Sequence, residues 1–425
     1  MPYRVLCWMT LCLLCARYSR SQAADTLGPA VVEQYSYQLY LAKEWKQLSQ
    51  FCDKAFRHDY DYYYLRMRAG IASYETGNYR KAIRHFLKAL DFNSGDDVAT
   101  NYLYSSYLYA GYEEEARALS RHMDTSQLRS VNADQLKALS FVALEAAVKL
   151  SDSSAKFKPV AYGQLNFKHS VSRRFSLFHA LSYYGQDEFR GNIQQYQYYL
   201  SAAIPLKHRL FISPAVHVLY TDVNFQEVKT STVVLRPPQP PMPGQPPPMP
   251  TTGVQTTTVH ASRQTAAVAG AVTLTKKMNY LDVSLGLTAC AFDTANQYQA
   301  QVGLACYPFG NRKLVLGALA YHHTETNYTY NSLAFVPYVS TLIRNRLFLS
   351  ASWLNNSGHN VTEGNAYLVN NSVDATVSRI SGSVEYHLFR HLNLYALYSY
   401  DTRREKTIAF TYHYHVYLLG IKFIP

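Results

Sequence analysis

The chain has 425 residues, a formal net charge of +12 and only 16% charged residues. That charge content is low for a soluble protein of this length, and the length itself calls for two domains. Tyrosine is extreme, at 38 against 19 Phe and 3 Trp; an apolar ring with one polar tip suits both an aromatic girdle at a membrane surface and a wet barrel wall. The sequence holds no apolar run long enough for a transmembrane helix, which excludes a helical membrane bundle, and no nucleic-acid partner is expected.

The first 23 residues read as a secretory signal. Arg4 gives the positive n-region, and Val5 to Ala16 is an apolar stretch too short to span a bilayer. Ser21-Gln22-Ala23 puts small residues where a signal peptidase needs them, so cleavage is expected after Ala23, although Arg17 and Arg20 are unusual in that region. A lipoprotein reading of Cys15 is weaker because the bulky Leu14 precedes it. Cys7, Cys12 and Cys15 leave with the signal, and Cys52, Cys290 and Cys306 remain.

Residues 24–135 form the next expected domain, helical in period and built on a 34-residue repeat. Lys43-Glu44-Trp45, Gly77-Asn78-Tyr79 and Gly111-Tyr112-Glu113 occupy the same turn; Leu48, Ala82 and Ala116 follow, then Cys52, Phe86 and Ser120, then Ala55, Ala89 and Met123. The middle unit is clearest, with Gly70, Tyr74, Gly77, Ala82, Phe86 and Ala89 in register. Small residues let two antiparallel helices approach, and aromatic ones fill the gap between them. The pattern resembles the tetratricopeptide repeat, which implies a concave surface for a protein or peptide. Packing and spacing alone is the plainer alternative, and the many Tyr of this region read as repeat core before they read as a sugar platform.

Residues 136–425 carry a different code. From Leu139 onward, segments of roughly ten to thirteen residues alternate apolar with polar, the pattern of a transmembrane β-barrel. Short turns fall at Ser172-Arg173-Arg174, Lys207-His208-Arg209, Lys276-Lys277-Met278-Asn279, Gly310-Asn311-Arg312, Arg344-Asn345-Arg346 and Arg390-His391. Longer loops are expected at 186–194, 222–262, 292–296, 325–331, 356–375 and 402–409. In outer-membrane barrels the short turns face the periplasm. Thirteen strands fit between 159 and 424, and a periplasmic domain must feed a strand that runs outward, so one more strand is required. Leu139 to Leu150 supplies it, although its Ala content favours a helix. The expected fold class is therefore α + β multidomain: a short helical repeat followed by an antiparallel barrel of about fourteen strands, with both termini periplasmic.

Alternation also assigns faces. Ala161, Gly163, Leu165 and Phe167 oppose Tyr162, Gln164, Asn166 and Lys168, and Ile380, Gly382, Val384 and Tyr386 oppose Arg379, Ser381, Ser383 and Glu385. A basic side chain on the lipid face costs about 2–4 kcal/mol at mid-bilayer, so Glu145, Lys149, Lys168, Asp282, Arg379 and Glu385 are expected to face the lumen. Cys290 then points inward and Cys306 to lipid, and no disulfide is expected because opposite faces cannot be bridged. The final strand carries Tyr417, Leu419, Ile421 and Phe423 on one face, similar to the closing strand of outer-membrane proteins.

Signal, short repeat segment and carboxy-terminal barrel together resemble the YaiO-like outer-membrane family and, more distantly, the repeat-plus-barrel exporters of bacterial exopolysaccharide. The resemblance covers nearly the whole mature chain by architecture. It implies the outer membrane of a Gram-negative bacterium, contact with outer-membrane lipid, a periplasmic protein partner for the repeat, and a saccharide cargo. The chemistry points to no enzyme and no cofactor: there is no Gly-rich phosphate loop, no Gly-x-Ser-x-Gly elbow and no His-Glu-x-x-His helix. His322 and His323 point to opposite faces of a strand, and His413 and His415 share a face without an acid or Cys, so no metal is expected. A barrel enzyme acting on lipid stays open as a minor alternative, and a non-conducting scaffold as the main one. From residue 138 the chain holds 24 basic and 14 acidic residues, and each short turn carries a base. They fit lipid headgroups of the inner leaflet or an entrance for an anionic polymer. The run Arg236 to Pro250 is proline-rich and is expected to be disordered or polyproline II within the extracellular loop 222–262.

Overall fold

A computed structural model of the chain describes residues 27–131, 138–153, 158–172, 175–188, 191–236, 251–292, 296–325, 330–356, 361–369, 374–404 and 410–425. The expected signal at 1–23, the Arg173-Arg174 turn, the proline-rich run 237–250 and several loop tips lie outside the described residues. Among the described residues seven helices come first: α1 Pro29–Leu41, α2 Trp45–Arg57, α3 Tyr63–Glu75, α4 Tyr79–Phe92, α5 Asp97–Ala110, α6 Glu113–Leu119 and α7 Thr125–Ser130. They stack as antiparallel hairpins. Gly70 on α3 lies so close to α4 that a Cβ there would meet the Phe86 ring at 2.6 Å. Ala82, Phe86, Ala89 and Ala116 are buried in the same core, with Tyr74 packed at its edge. Gly77 and Gly111 turn the chain after α3 and α5 with φ of 77° and 80°, a left-handed geometry that suits glycine. Cys52 is buried between α1, α2 and α3, and burial pushes its thiol up to about 12, so it stays protonated.

Fourteen antiparallel strands then close into one barrel in chain order: β1 Leu139–Ser151, β2 Val160–Ser172, β3 Phe175–Glu188, β4 Gly191–Pro205, β5 Leu210–Arg236, β6 Thr251–Lys277, β7 Leu281–Ala291, β8 Asn296–Cys306, β9 Leu314–Glu325, β10 Tyr330–Ile343, β11 Leu347–Asn356, β12 Ala375–Phe389, β13 Leu392–Arg404 and β14 Thr411–Phe423. The segment with helix-favouring Ala is strand β1, because it must seal the barrel. It pairs with β2 on one side and with β14 on the other, from Val142 opposite Phe423 to Ser151 opposite Tyr414. Closure satisfies both strand edges, and that outweighs local propensity. The period of two puts Leu144, Leu287, Ile380 and Leu419 on the outside, where each is more than half exposed. No helix among the described residues is long and apolar enough to cross a membrane.

The loop expected at 222–262 is corrected. β5 and β6 are each 27 residues long, so strand pairing runs through 222–236 and 251–262. Beyond Phe225, where β4 ends its pairing, β5 bonds only to β6 and the two form a ribbon past the barrel rim. Thr and Val fill that stretch, and β-branched side chains favour the extended backbone.

Candidate functional site

The interior of the barrel is crossed by a segment from the long β11–β12 connection. Residues 361–369 fold inward as a small hairpin, bridged between Glu363 and Leu368. Gly364, Asn365 and Ala366 all have φ between 61° and 65°. A left-handed Ala costs roughly 1–2 kcal/mol, so the surroundings must hold it. They do so with apolar packing, Ala366 against Leu219 and Ala269 and Val361 against Val336 and Leu354, and with polar contacts. Gln299 on β8 donates to the Thr362 carbonyl at 2.6 Å and accepts from its amide at 3.0 Å. His217 on β5 donates to the Ala366 carbonyl at 2.8 Å. Asn365 donates to the Ser213 carbonyl at 2.9 Å and accepts from Thr273 at 2.8 Å. Tyr367 reaches Gln164 and Asn166 on β2. Among the described residues the one charged tie runs from Arg379 on β12 to Glu363 at 2.7 Å, with Asp401 on β13 at 3.2 Å from the same guanidinium.

Two cavities flank this loop. One of about 550 Å³ is lined by Lys149, Tyr162, Gln197, Glu363, Arg379 and Asp401 among others. Another of about 450 Å³, towards the short-turn end, is lined by Phe141, Glu145, Asn166, Tyr367, Glu385 and Tyr395. Glu145 stands where they meet, accepting from Tyr395 at 2.5 Å and Asn166 at 2.6 Å. Glu385 pairs with Lys422 at 3.2 Å, and Lys149 places its ammonium 3.8 Å from the centre of the Tyr414 ring.

The helices close the short-turn end. Arg80, at the start of α4, is 1% exposed and forms a bidentate pair with Asp282 on β7, both bonds at 2.8 Å. The same guanidinium lies 3.2 Å from the centre of the Tyr307 ring. Lys168 meets Glu114 at 2.7 Å, and Lys277 meets Glu115 at 2.5 Å. Asn311 donates to the Gly77 carbonyl, and Gly310 accepts from the Arg80 amide at 3.0 Å. A third cavity, about 490 Å³, lies at this junction.

The six charges expected at the lumen thus divide by height. Lys168 and Asp282 bind the helices, Arg379 binds the loop, and Glu145, Lys149 and Glu385 line the cavities between. Sequence reasoning missed their partners Arg80, Glu114, Glu363, Asp401 and Lys422, and the further pair Lys277–Glu115. Gly364-Asn365 inside a long loop is a turn signal that marks the inward hairpin, and Arg80 directly follows the Asn78-Tyr79 turn. Of the three cysteines, Cys290 is buried against Thr362, Cys306 is exposed, and Cys52 lies in the helices.

No protein-family model matches the sequence, and no characterised protein matches it closely. Among solved structures the chain is similar to CymD, a monoaromatic hydrocarbon channel, at 8% identity, covering 73% of this chain and 91% of that one with a TM-score of 0.44. It is similar to the Pseudomonas putida toluene transporter TodX at 10% identity, 71% and 93% coverage and a TM-score of 0.43. A bacterial polysaccharide outer membrane secretin gives 7%, 67%, 99% and 0.36.

Proposed function

We propose that the protein is an outer-membrane pore for polyhydroxylated solutes, saccharides first among them, held shut by the inward hairpin and by the docked helices. One observation carries this reading: the obstruction inside the barrel is tied to the wall by hydrogen bonds and one ion triad. The hairpin also buries Val361 and Ala366 against apolar wall residues, but its polar ties exchange with water at little net cost, about 1 kcal/mol each. The flanking cavities are lined by Tyr162, Tyr184, Tyr367, Tyr395, Gln197 and Asn166. Hydroxyls and amides on aromatic-rich walls suit sugar hydroxyls and sugar C–H faces. The apolar outer face fits lipid, and the short-turn end with the helices faces the periplasm in this reading.

The test is solute entry into liposomes holding the full chain and a variant with residues 361–369 replaced by a short Gly-Ser link. Sugar entry in the link variant, and little in the parent, supports a gated pore. Impermeability of both, and of a further variant lacking the helices, favours the second reading: a non-conducting scaffold whose repeat-like helices hold a periplasmic protein. The three charged ties between helices and barrel are what favours that alternative. For orientation, Thr230→Cys on the ribbon should label on intact cells with an impermeant reagent, and Asn345→Cys should not.

A further inference from the structure

The helices carry a groove that their contacts with the barrel leave open. It lies between α2 and α4, the second helices of successive hairpins, with Arg66 of α3 at its edge. Its volume is about 670 Å³, and Arg57, Arg66, Arg84 and Lys88 line it together with Asp53 and Phe56. Four cations therefore face one carboxylate. Asp53 is already held by Lys81 at 2.5 Å, Arg66 by Asp61 at 2.6 Å, and Lys88 by Asp91 at 3.1 Å. Among the described residues no carboxylate pairs with Arg57 or Arg84.

The groove is braced. His85 is fully buried beneath it, with Nδ1 3.2 Å from Arg66 and Nε2 3.4 Å from Arg84. The His85 ring stacks on Phe56, with 5.3 Å between ring centres, and the Arg66 guanidinium sits 3.9 Å from the Phe56 ring centre. Guanidinium groups held in place lose less freedom on binding, and their paired N–H donors match a carboxylate. The size is in the range of an organic ligand of several rings, far above that of a bare anion. Arg80, Arg84 and Lys88 follow one another at four-residue steps and so share a side of α4. At about 1.5 Å per residue, Lys88 is roughly 12 Å along the axis from Arg80, which sits in the barrel mouth.

We propose that this groove binds a carboxylate-bearing saccharide chain, the pore's own cargo, with Arg57 and Arg84 as its principal contacts and α4 leading the chain to the mouth. The assignment of cargo rests on the pore reading above, whose hydroxyl-lined lumen favours a saccharide over an acidic peptide. The experiment is calorimetric titration of the full-length protein in detergent with a short uronic-acid oligosaccharide, a neutral oligosaccharide of equal length and an oligoglutamate. Binding of the uronate, about tenfold or more tighter than of the neutral sugar and weakened at least about tenfold by Arg57→Ala with Arg84→Ala, supports the proposal. Arg57→Glu alone, at an exposed position, should weaken it too, which guards against misfolding of the double variant. Equal affinity for the two sugars, or an affinity indifferent to both variants, overturns it. Tighter binding of oligoglutamate also overturns it and assigns the groove to an acidic protein segment. The titration needs no open pore, so absent conductance with binding intact strikes only the pore reading. Absent binding with sugar entry intact strikes only the groove.

Discussion

Replacing Arg379 by Ala distinguishes a gate from a fixed plug. Its guanidinium joins Glu363 on the hairpin to Asp401 on the wall, and the side chains of Arg379 and Glu363 are 18% and 17% exposed. Without it two carboxylates face each other across the junction. Truncating one partner of a buried pair costs about 3–5 kcal/mol; water in the adjoining cavities lowers this, so about 2–3 kcal/mol is assigned to the closed state. The neutral ties from Gln299, His217 and Asn365 remain, each worth about 1 kcal/mol. At about 1.4 kcal/mol per tenfold, the closed-to-open ratio falls roughly 30- to 150-fold. Single-channel recording in planar bilayers should show openings more frequent by that factor. Glu363→Gln, which keeps an acceptor but not the charge, should give a smaller rise. Combining Arg379→Ala with Glu363→Ala should give fewer openings than Arg379→Ala alone, because it also removes the carboxylate left facing Asp401. Lower heat stability of the barrel without more openings would mark the hairpin as a fixed plug. No change in either property would refute the clamp itself.

Three further outcomes are expected. Arg80→Ala leaves Asp282 buried at the mouth without its cation, so the helices should undock, read as faster protease cleavage within residues 27–131 while the barrel stays heat-resistant; the cost is about 3–5 kcal/mol. Gly70→Ala forces a methyl against the Phe86 ring and should lower helix stability by about 1–3 kcal/mol, seen as earlier loss of the helical circular-dichroism signal with the strand signal unchanged. His85 is held well below its ordinary value of 6.5, first by burial and then by Arg84, Lys81 and Arg66. A depressed folded pKa means that the unfolded chain binds the proton more readily, so this stability is complete above about pH 6.5 and is lost as pH falls below it. Amide protection factors in α3 and α4, corrected for the intrinsic pH dependence of exchange, should therefore fall between about pH 6.5 and 5, and His85→Gln should flatten that dependence.

The barrel was legible because its code is local. Successive residues face opposite sides of a strand, so Leu144 and Glu145 declare their sides without knowledge of any neighbour. The position of β1 needed one step more, a count of crossings, and that step overrode the helix-favouring Ala of the same segment. The ribbon was misread because polar Thr and Ser on both faces remove the alternation by which a strand is recognised; with no core face to mark, residues 222–236 and 251–262 read as loop. The inward hairpin was missed for a different reason. Its contacts to Gln164, Ser213, His217, Thr273 and Gln299 join residues far apart in the chain, and no periodicity links them. The same limit applies to the helices: alternation puts Asp282 inside, but only the folded chain shows that its counter-charge is Arg80, from the start of α4. Inward charge in a barrel is thus a demand that the strand pattern states and leaves unmet. Here Lys168 and Asp282 are met by helices, Arg379 by a hairpin and Asp401, and Glu385 by Lys422 on a nearby strand. If the polar ties from helices and hairpin must release, as the proposed pore requires, these charges serve passage as much as stability.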